Sequence, residues 1–248
     1  MENVFVIIIA SYNLPAYSDL ISLRRRQLQA YKIPYLFVID GANHSNPNSN
    51  PNSNPKPDEL YIHRNPMIEF KSKVPGIYSN ILFKYYEAVK KVLADPNNSN
   101  IKYIIRVNIS TYINIKKLSE QLPLLPLNNA FMGVQECTHL EYPYLSGVLM
   151  MFSRDVMEYF AQVDLYRNRI AYDHWDDTAI CWILGEKYKY TIPFTIHWHE
   201  SWQIIDLDVD EAIKHPFVRV KNSSDRTRDV SDWFKLENTL DMYKNLKN

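Results

Sequence analysis

The stretch Val4-Phe5-Val6-Ile7-Ile8-Ile9-Ala10 decides the fold, because it is apolar at every position. A strand with two apolar faces is typical of the centre of a parallel sheet. A helix is predicted next, over residues 18–31, and a second apolar strand over residues 35–39. Strand, helix and strand in this order form a β-α-β unit, and an α/β layered fold is therefore the first prediction.

Alternating strands and helices continue along the chain. Strands are predicted over residues 103–107, 131–134 and 148–152, and helices over residues 78–90, 115–122, 155–162 and 176–184. Ligands of open α/β sheets bind at the carboxyl ends of the strands. The polar residues at these ends are therefore candidates for ligand binding: Ser11, Tyr12, Asp40, Asn108 and Ser110.

Composition excludes several classes of function. Lys and Arg total 28, as do Asp and Glu, so the overall charge favours neither nucleic acid nor an acidic membrane surface as a partner. With only 5 glycines, the chain cannot assemble a Rossmann fingerprint or a Walker loop. Cys137 and Cys181 lie in apolar runs without paired spacing, which predicts buried free thiols.

The 248 residues fit a single domain, residues 1–248, with two embellishments. Residues 44–57 repeat Asn, Pro and Ser and are predicted to form a disordered surface loop. A C-terminal tail is predicted from about residue 206. The apolar run at residues 4–10 is too short to span a bilayer, so no membrane span and a cytoplasmic location are expected.

Two acids and two histidines stand at the ends of neighbouring elements. Asp176 and Asp177 open a predicted helix, and His197 and His199 end the strand that follows it. Carboxylates at a helix start often serve only to cap it and complement its dipole. In a ligand-binding edge they can also accept a proton, and a histidine can hold a metal or contact a phosphate.

Four segments in order resemble motifs of the inverting β-1,3-glycosyltransferases, particularly the galactosyltransferase-like and fringe-like members. They are YSNILFK at residues 78–84, IRVNISTYIN at 105–114, SGVLMMFSRD at 146–155, and DDTAI at 176–180 with HWHE at 197–200. Each motif is degenerate, but their common order over about half of the chain is moderately specific. The resemblance implies a GT-A-like α/β fold with a mixed, mostly parallel sheet and helices on both faces.

The resemblance also implies a reaction and its residues. The chain would transfer a sugar from a nucleoside-diphosphate sugar, with a UDP-sugar favoured, to a hydroxyl of a glycan or glycoprotein acceptor, with inversion. Asp177 aligns with the general base, Asp176 is its orienting partner or alternative, and His199 aligns with a metal-binding histidine. Lys84 and Gly147 lie in the matching segments and are candidates for substrate binding.

One departure from the family concerns the metal. Asn108 and Ser110 stand where the family has acids, and neutral oxygens are poor ligands for Mn²⁺ or Mg²⁺. Transfer is therefore predicted to be independent of metal, with the leaving diphosphate compensated by the basic stretch His215, Arg219, Lys221 and Arg226. Arg219 and Lys221 would point the same way on a strand, although they could equally be solvated cations. Arg106, on a buried strand, needs a partner, either Asp40 or a ligand phosphate.

Two other functions fit the same residues. The loss of the acidic pair is compatible with a non-catalytic protein that binds nucleotide sugar or glycan. Asp176, Asp177, His197 and His199 could instead form a metal-dependent hydrolase, although such a site normally needs a further clustered ligand. The Asn-, Lys-, Ile- and Tyr-rich usage hints at an AT-rich genome, and transferases without an anchor are found in bacteria and large DNA viruses.

Overall fold

The computed structural model describes most of the chain. The described residues are 3–10, 15–40, 56–62, 65–135, 144–201, 206–222 and 225–245. The predicted loop at residues 44–57 and Cys137 fall almost wholly outside these ranges. Within them Cys181 is a buried free thiol, as predicted.

The described residues form nine strands and nine helices. The strands are β1 Val4–Ala10, β2 Tyr35–Asp40, β3 Glu59–Ile62, β4 Tyr103–Asn108, β5 Thr111–Ile113, β6 Phe131–Gln135, β7 Leu145–Ser153, β8 Ile196–Ser201 and β9 Phe217–Asn222. The helices are α1 Pro15–Ala30, α2 Pro66–Lys71, α3 Gly76–Ala94, α4 Ile115–Gln121, α5 Arg154–Gln162, α6 Ile170–Asp173, α7 Asp176–Gly185, α8 Val209–Ala212 and α9 Thr227–Asn245.

A six-stranded sheet forms the centre of the molecule, in the order β3-β2-β1-β4-β7-β6. Strands β3, β2, β1 and β4 run parallel, whereas β7 runs antiparallel to both of its neighbours. The mixed, mostly parallel sheet predicted from the sequence is therefore confirmed. Because β7 runs the opposite way, its first residues lie beside the last residues of β4.

Each face of this sheet carries its own hydrophobic core. Val6 and Ile8 of β1 pack in one core with residues of α1, α9 and the smaller sheet, and Phe5 and Ile7 pack in the other with residues of α3, α5 and α7. A fully buried side chain of this size contributes about 1.5–3 kcal/mol. The two cores confirm the prediction of helices on both faces, and they explain why β1 is apolar at every position.

The segment predicted as a C-terminal tail contributes to the packed fold. Strand β9 is the middle strand of a three-stranded sheet, between β5 and β8. Helix α9 buries Trp233 completely, and the buried guanidinium of Arg24 lies 4.3 Å from the centre of the Trp233 ring. Packing on both sides therefore fixes the position of β9 and of the side chains that it carries.

Most predicted elements agree with the structure to within a few residues. Ser153 caps α5, and Gly185 ends α7, as predicted. Strands β3 and β5 and helices α2, α6 and α8 were not predicted, because with 3 to 6 residues each they are too short for a hydrophobic period to show. Helix α9, with 19 residues, was also not predicted, since the residues from about 206 onward were interpreted as a tail. No helix in the described ranges is long and apolar enough to cross a membrane.

Candidate functional site

A cavity of about 270 Å³ opens where β4 ends, β7 begins and α7 begins, and we call it the strand-end cavity. Strand β9 forms a further wall. The described residues that line it are Ile81, Arg106, Asn108, Tyr144, Ser146, Gly147, Val148, Trp175, Asp176, Asp177, Arg219 and Lys221. The cavity thus lies at the carboxyl end of a parallel strand, where ligands bind in sheets of this type.

Asp176 and Arg106 form a buried ion pair beside the cavity. The Arg106 side chain is 2% exposed, and its Nη2 donates to Oδ2 of Asp176. Burial raises the pKa of the Asp176 carboxyl, the Arg106 charge opposes this rise, and the Asp177 charge adds to it. The protein partner of Arg106 is therefore Asp176 and not Asp40, which had been predicted as one alternative.

Asp177 is half-buried and held by backbone groups. Its Oδ2 accepts from the Gly147 N–H at 3.0 Å, and its Oδ1 accepts from the Thr178 N–H at 2.8 Å. A carboxylate has about four sites for hydrogen bonds, so both oxygens can accept further ones. Among the described residues Asp176 is paired with a cation and Asp177 is not, so Asp177 is the better placed of the two to accept a proton from a ligand.

Gly147 brings its backbone close to both of these acids. Its N–H donates to Asp177, and a Cβ at this position would overlap Nη1 of Arg106. None of the described glycines has a positive φ, so the need for glycine here arises from the approach of Arg106 alone. The sequence analysis named Gly147 only through the segment at residues 146–155 that resembles a family motif, and it did not predict this close approach.

Arg219 and Lys221 line the cavity from β9. They are two residues apart and point the same way, as predicted for a strand. Nη1 of the buried Arg219 donates to the Ser110 hydroxyl at 2.6 Å. Ser110, predicted to bind substrate, does not itself line the cavity but contacts the lining residue Arg219.

Other predicted residues lie elsewhere. His215 precedes β9 and lies 3.5 Å from Glu211, with its ring 5.8 Å from that of His197. Arg226 pairs with Asp229 at 2.9 Å and donates to the Tyr17 hydroxyl at 3.2 Å. Neither residue lines the cavity, because His215 precedes β9 and Arg226 follows it.

Five further predicted residues are not among those that line the cavity. For four of them the side chain is outside the described residues, and the fifth, Lys84, is buried. Ser11 and Tyr12 are outside the described residues, as are the side chains of Asp40, which ends β2, and His199, which is on β8. Lys84 is buried on α3, in the turn after the lining residue Ile81. Asn108 lines the cavity from the last position of β4.

The remaining lining residues were not predicted. They are Trp175, which is 49% exposed and immediately precedes the acid pair, together with Ser146 and the apolar residues Ile81, Tyr144 and Val148. Apolar residues in strands and helices usually serve the core, so their type gives no sign of a site. The described part of the chain contains no group of three His, Cys, Asp or Glu residues that could hold a metal.

No family model matches the chain, and no curated protein matches it in sequence. Solved structures do match. A glycosyltransferase involved in the glycosylation of the major capsid of PBCV-1 matches with a TM-score of 0.51 and 9% identity, over 93% of this chain and 98% of that one. The galactosyltransferase LgtC, solved with donor and acceptor sugar analogues, has a TM-score of 0.49 and 8% identity, over 95% of each chain.

A third match is the 4-diphosphocytidyl-2C-methyl-D-erythritol synthase of Anaerococcus prevotii. Its TM-score is 0.43 at 10% identity, over 86% of this chain and 95% of that one. At such low identities a likeness in structure shows the fold alone. The chain therefore has the GT-A-like α/β fold that its sequence motifs predicted.

Proposed function

We propose that the chain is a glycosyltransferase that transfers a sugar from a nucleoside-diphosphate sugar, with UDP as the favoured nucleotide, to a hydroxyl of an acceptor glycan. One observation carries this proposal: a single cavity at the strand ends joins the carboxylate of Asp177 to the cations Arg219 and Lys221. Asp177 supplies a base, and Arg219 and Lys221 compensate the negative charge of a diphosphate.

The proposed chemistry is a direct displacement with inversion. The acceptor oxygen attacks the anomeric carbon while Asp177 takes its proton, and the bond from that carbon to the diphosphate breaks. The diphosphate leaves with the bonding electrons, and its negative charge is met by Arg219 and Lys221. A single displacement reverses the anomeric configuration, so comparison of the anomeric proton coupling in donor and product by NMR tests the stereochemistry.

A panel of nucleotides tests the function itself. UDP, GDP, ADP and CDP, and UDP-glucose, UDP-galactose and UDP-N-acetylglucosamine, are each added to the protein in a thermal melt. A ligand that binds only the native state raises the melting temperature. We expect UDP and at least one UDP-sugar to do so. A panel without any shift would contradict the proposal.

Arg219→Ala or Lys221→Ala should each weaken UDP binding by about 1.5–3 kcal/mol, as expected for a hydrogen bond to a charged group. Calorimetric titration with UDP and with uridine measures the effect, and uridine affinity should hardly change. Arg219→Lys keeps the charge and controls for the loss of packing beside Ser110. Arg167→Ala, at a side chain that is 89% exposed, is the matched surface control. Equal UDP titrations for all variants would remove β9 from the site.

The residues at the end of β4 do not fit a hard divalent cation. Asn108 and Ser110 offer neutral oxygens, and the Arg219 guanidinium is within hydrogen-bonding distance of the Ser110 hydroxyl. A second cation there would be repelled by this guanidinium. We therefore propose that no transfer step needs Mn²⁺ or Mg²⁺ bound at this position.

Transfer should accordingly survive excess EDTA. Product formation with and without EDTA measures this, and the expected rates agree within about twofold. Loss of transfer in EDTA that Mn²⁺ or Mg²⁺ restores would show the opposite. His199, whose side chain is outside the described part, would then return as a candidate ligand together with the phosphates of the donor.

The second candidate function is binding without turnover, favoured by the same absence of acids at Asn108 and Ser110. Such a protein would respond to the nucleotide panel but form no product with any acceptor glycan. The third possibility, a metal-dependent hydrolase, gains no support from the described residues, since no third ligand joins Asp176 and Asp177.

A further inference from the structure

The guanidinium of Arg106 is buried with part of its hydrogen-bonding capacity unused. The residue is 1% exposed, and only Nη2 has a partner, the Asp176 carboxylate. Nη1 and Nε have no hydrogen-bond partner among the described residues. The Cζ atom of Arg106 lies over the Tyr85 ring, 5.7 Å from its centre. A buried donor left without a partner is costly, so a bound ligand would relieve this cost.

The vacant donor lies at the cavity. Arg106 lines it, and Nη1 lies against Gly147, which also lines it. Gly147 in turn donates to Asp177, the proposed base, at 3.0 Å. Nη1 is therefore near the end of the cavity where the bond is made, whereas Arg219 and Lys221 reach in from β9. The part of the donor expected beside the base is the sugar.

The charges in the cavity indicate what kind of sugar this is. Three cationic side chains and two carboxylates line the cavity among the described residues, which leaves a formal sum of one positive charge. The negative charge of the donor's diphosphate is already larger than this single positive charge. A carboxylate on the sugar would add negative charge close to Asp176 and Asp177, which is unfavourable. A hydroxyl oxygen can accept from Nη1 without adding charge.

We propose that Arg106 binds a hydroxyl group of the transferred sugar and that this sugar is a neutral hexose rather than a uronic acid. The inference rests on the proposed function and deepens it. Asp176 holds the guanidinium in place, and the missing side chain at Gly147 leaves room for Nη1. Sites built to bond a substrate hydroxyl discriminate strongly against analogues that lack it.

Gly147→Ala tests the proposal by displacing the guanidinium without removing it. The backbone φ at this position suits alanine, and the nearest atoms to the new methyl group would be those of the Arg106 guanidinium. The guanidinium should move, while the N–H that bonds Asp177 remains. Gly185→Ala is the matched control, because a Cβ there would have no atom within 4 Å.

The affinities of UDP, of UDP-glucose, UDP-galactose and UDP-N-acetylglucosamine, and of UDP-glucuronate are measured for each protein by calorimetry. In the wild type at least one UDP-sugar should bind more tightly than UDP. Gly147→Ala should weaken the best of these by about tenfold and change UDP by less than about twofold. Gly185→Ala should match the wild type. Arg106→Lys, which keeps the charge for Asp176 but loses the planar fork, should repeat the selective loss if the alanine variant does not fold.

Several results would overturn the inference. Equal losses for UDP and UDP-sugars would place Arg106 on the diphosphate, and unchanged affinities in both variants would remove it from the site. Tighter binding of UDP-glucuronate than of the neutral sugars, lost in Gly147→Ala, would show that Arg106 binds a carboxylate. A wild-type protein that binds neither UDP nor a UDP-sugar would refute the proposed function first, which is a separate result.

Discussion

Asp177→Asn is expected to lower the rate of sugar transfer by about 10²–10⁴-fold and to leave UDP affinity nearly unchanged. The amide has the shape of the carboxylate but cannot take a proton from the acceptor. It can still accept from one of the two backbone N–H groups, of Gly147 or Thr178, that hold the native side chain. Initial rates at saturating donor and acceptor, with UDP affinity from calorimetry, measure the two quantities separately.

The control is the neighbouring acid. Asp173→Asn changes a partly exposed carboxylate three residues before Asp176, and this Asp173 carboxylate pairs with Lys73 and Arg169. Its transfer rate should equal that of the wild type. Wild-type transfer by Asp177→Asn would exclude Asp177 as the base. Loss of UDP binding along with the rate would instead mean that the substitution had disturbed the cavity as a whole.

The main sheet could be predicted because its strands are buried on both faces. An apolar run such as Val4–Ala10 indicates a strand that is buried on both faces, and β2, the next strand, has the same pattern. The antiparallel direction of β7 could not be predicted, since an apolar run has no direction. That direction decides the site, because it places Gly147 beside the end of β4.

The site could be predicted residue by residue but not as a set of contacts. Asp177, Arg219 and Lys221 were named from residue type and spacing, and the structure brings them into one cavity. Arg106 and Asp176 are 70 residues apart, and their pairing depends on how α7 packs on the sheet. No local pattern contains this information. His215 and Arg226 show the converse, since closeness to Arg219 in sequence does not keep them near it in the fold.

Asp176→Ala should destabilise the protein by about 3–5 kcal/mol, because it leaves the Arg106 guanidinium buried without its counter-ion. Arg106 already has two nitrogens without a hydrogen-bond partner among the described residues, so little else can compensate. Urea denaturation followed by circular dichroism measures the free energy of unfolding. Asp173→Ala, which removes a carboxylate from a surface ion pair, is the control and should have little effect.

Replacing both partners separates the cost of an orphaned charge from the worth of the pair. Arg106→Met combined with Asp176→Leu removes both charges and keeps most of the volume, so it should recover much of the stability lost in Asp176→Ala. The same double variant should lose the preference for UDP-sugar over UDP, since the guanidinium is gone. A double variant that is as unstable as the single one would show that packing, rather than charge, holds α7 against β4. A stable double variant that keeps the preference for UDP-sugar over UDP would show that Arg106 has no role in binding. The ion pair would then be needed neither for stability nor for binding.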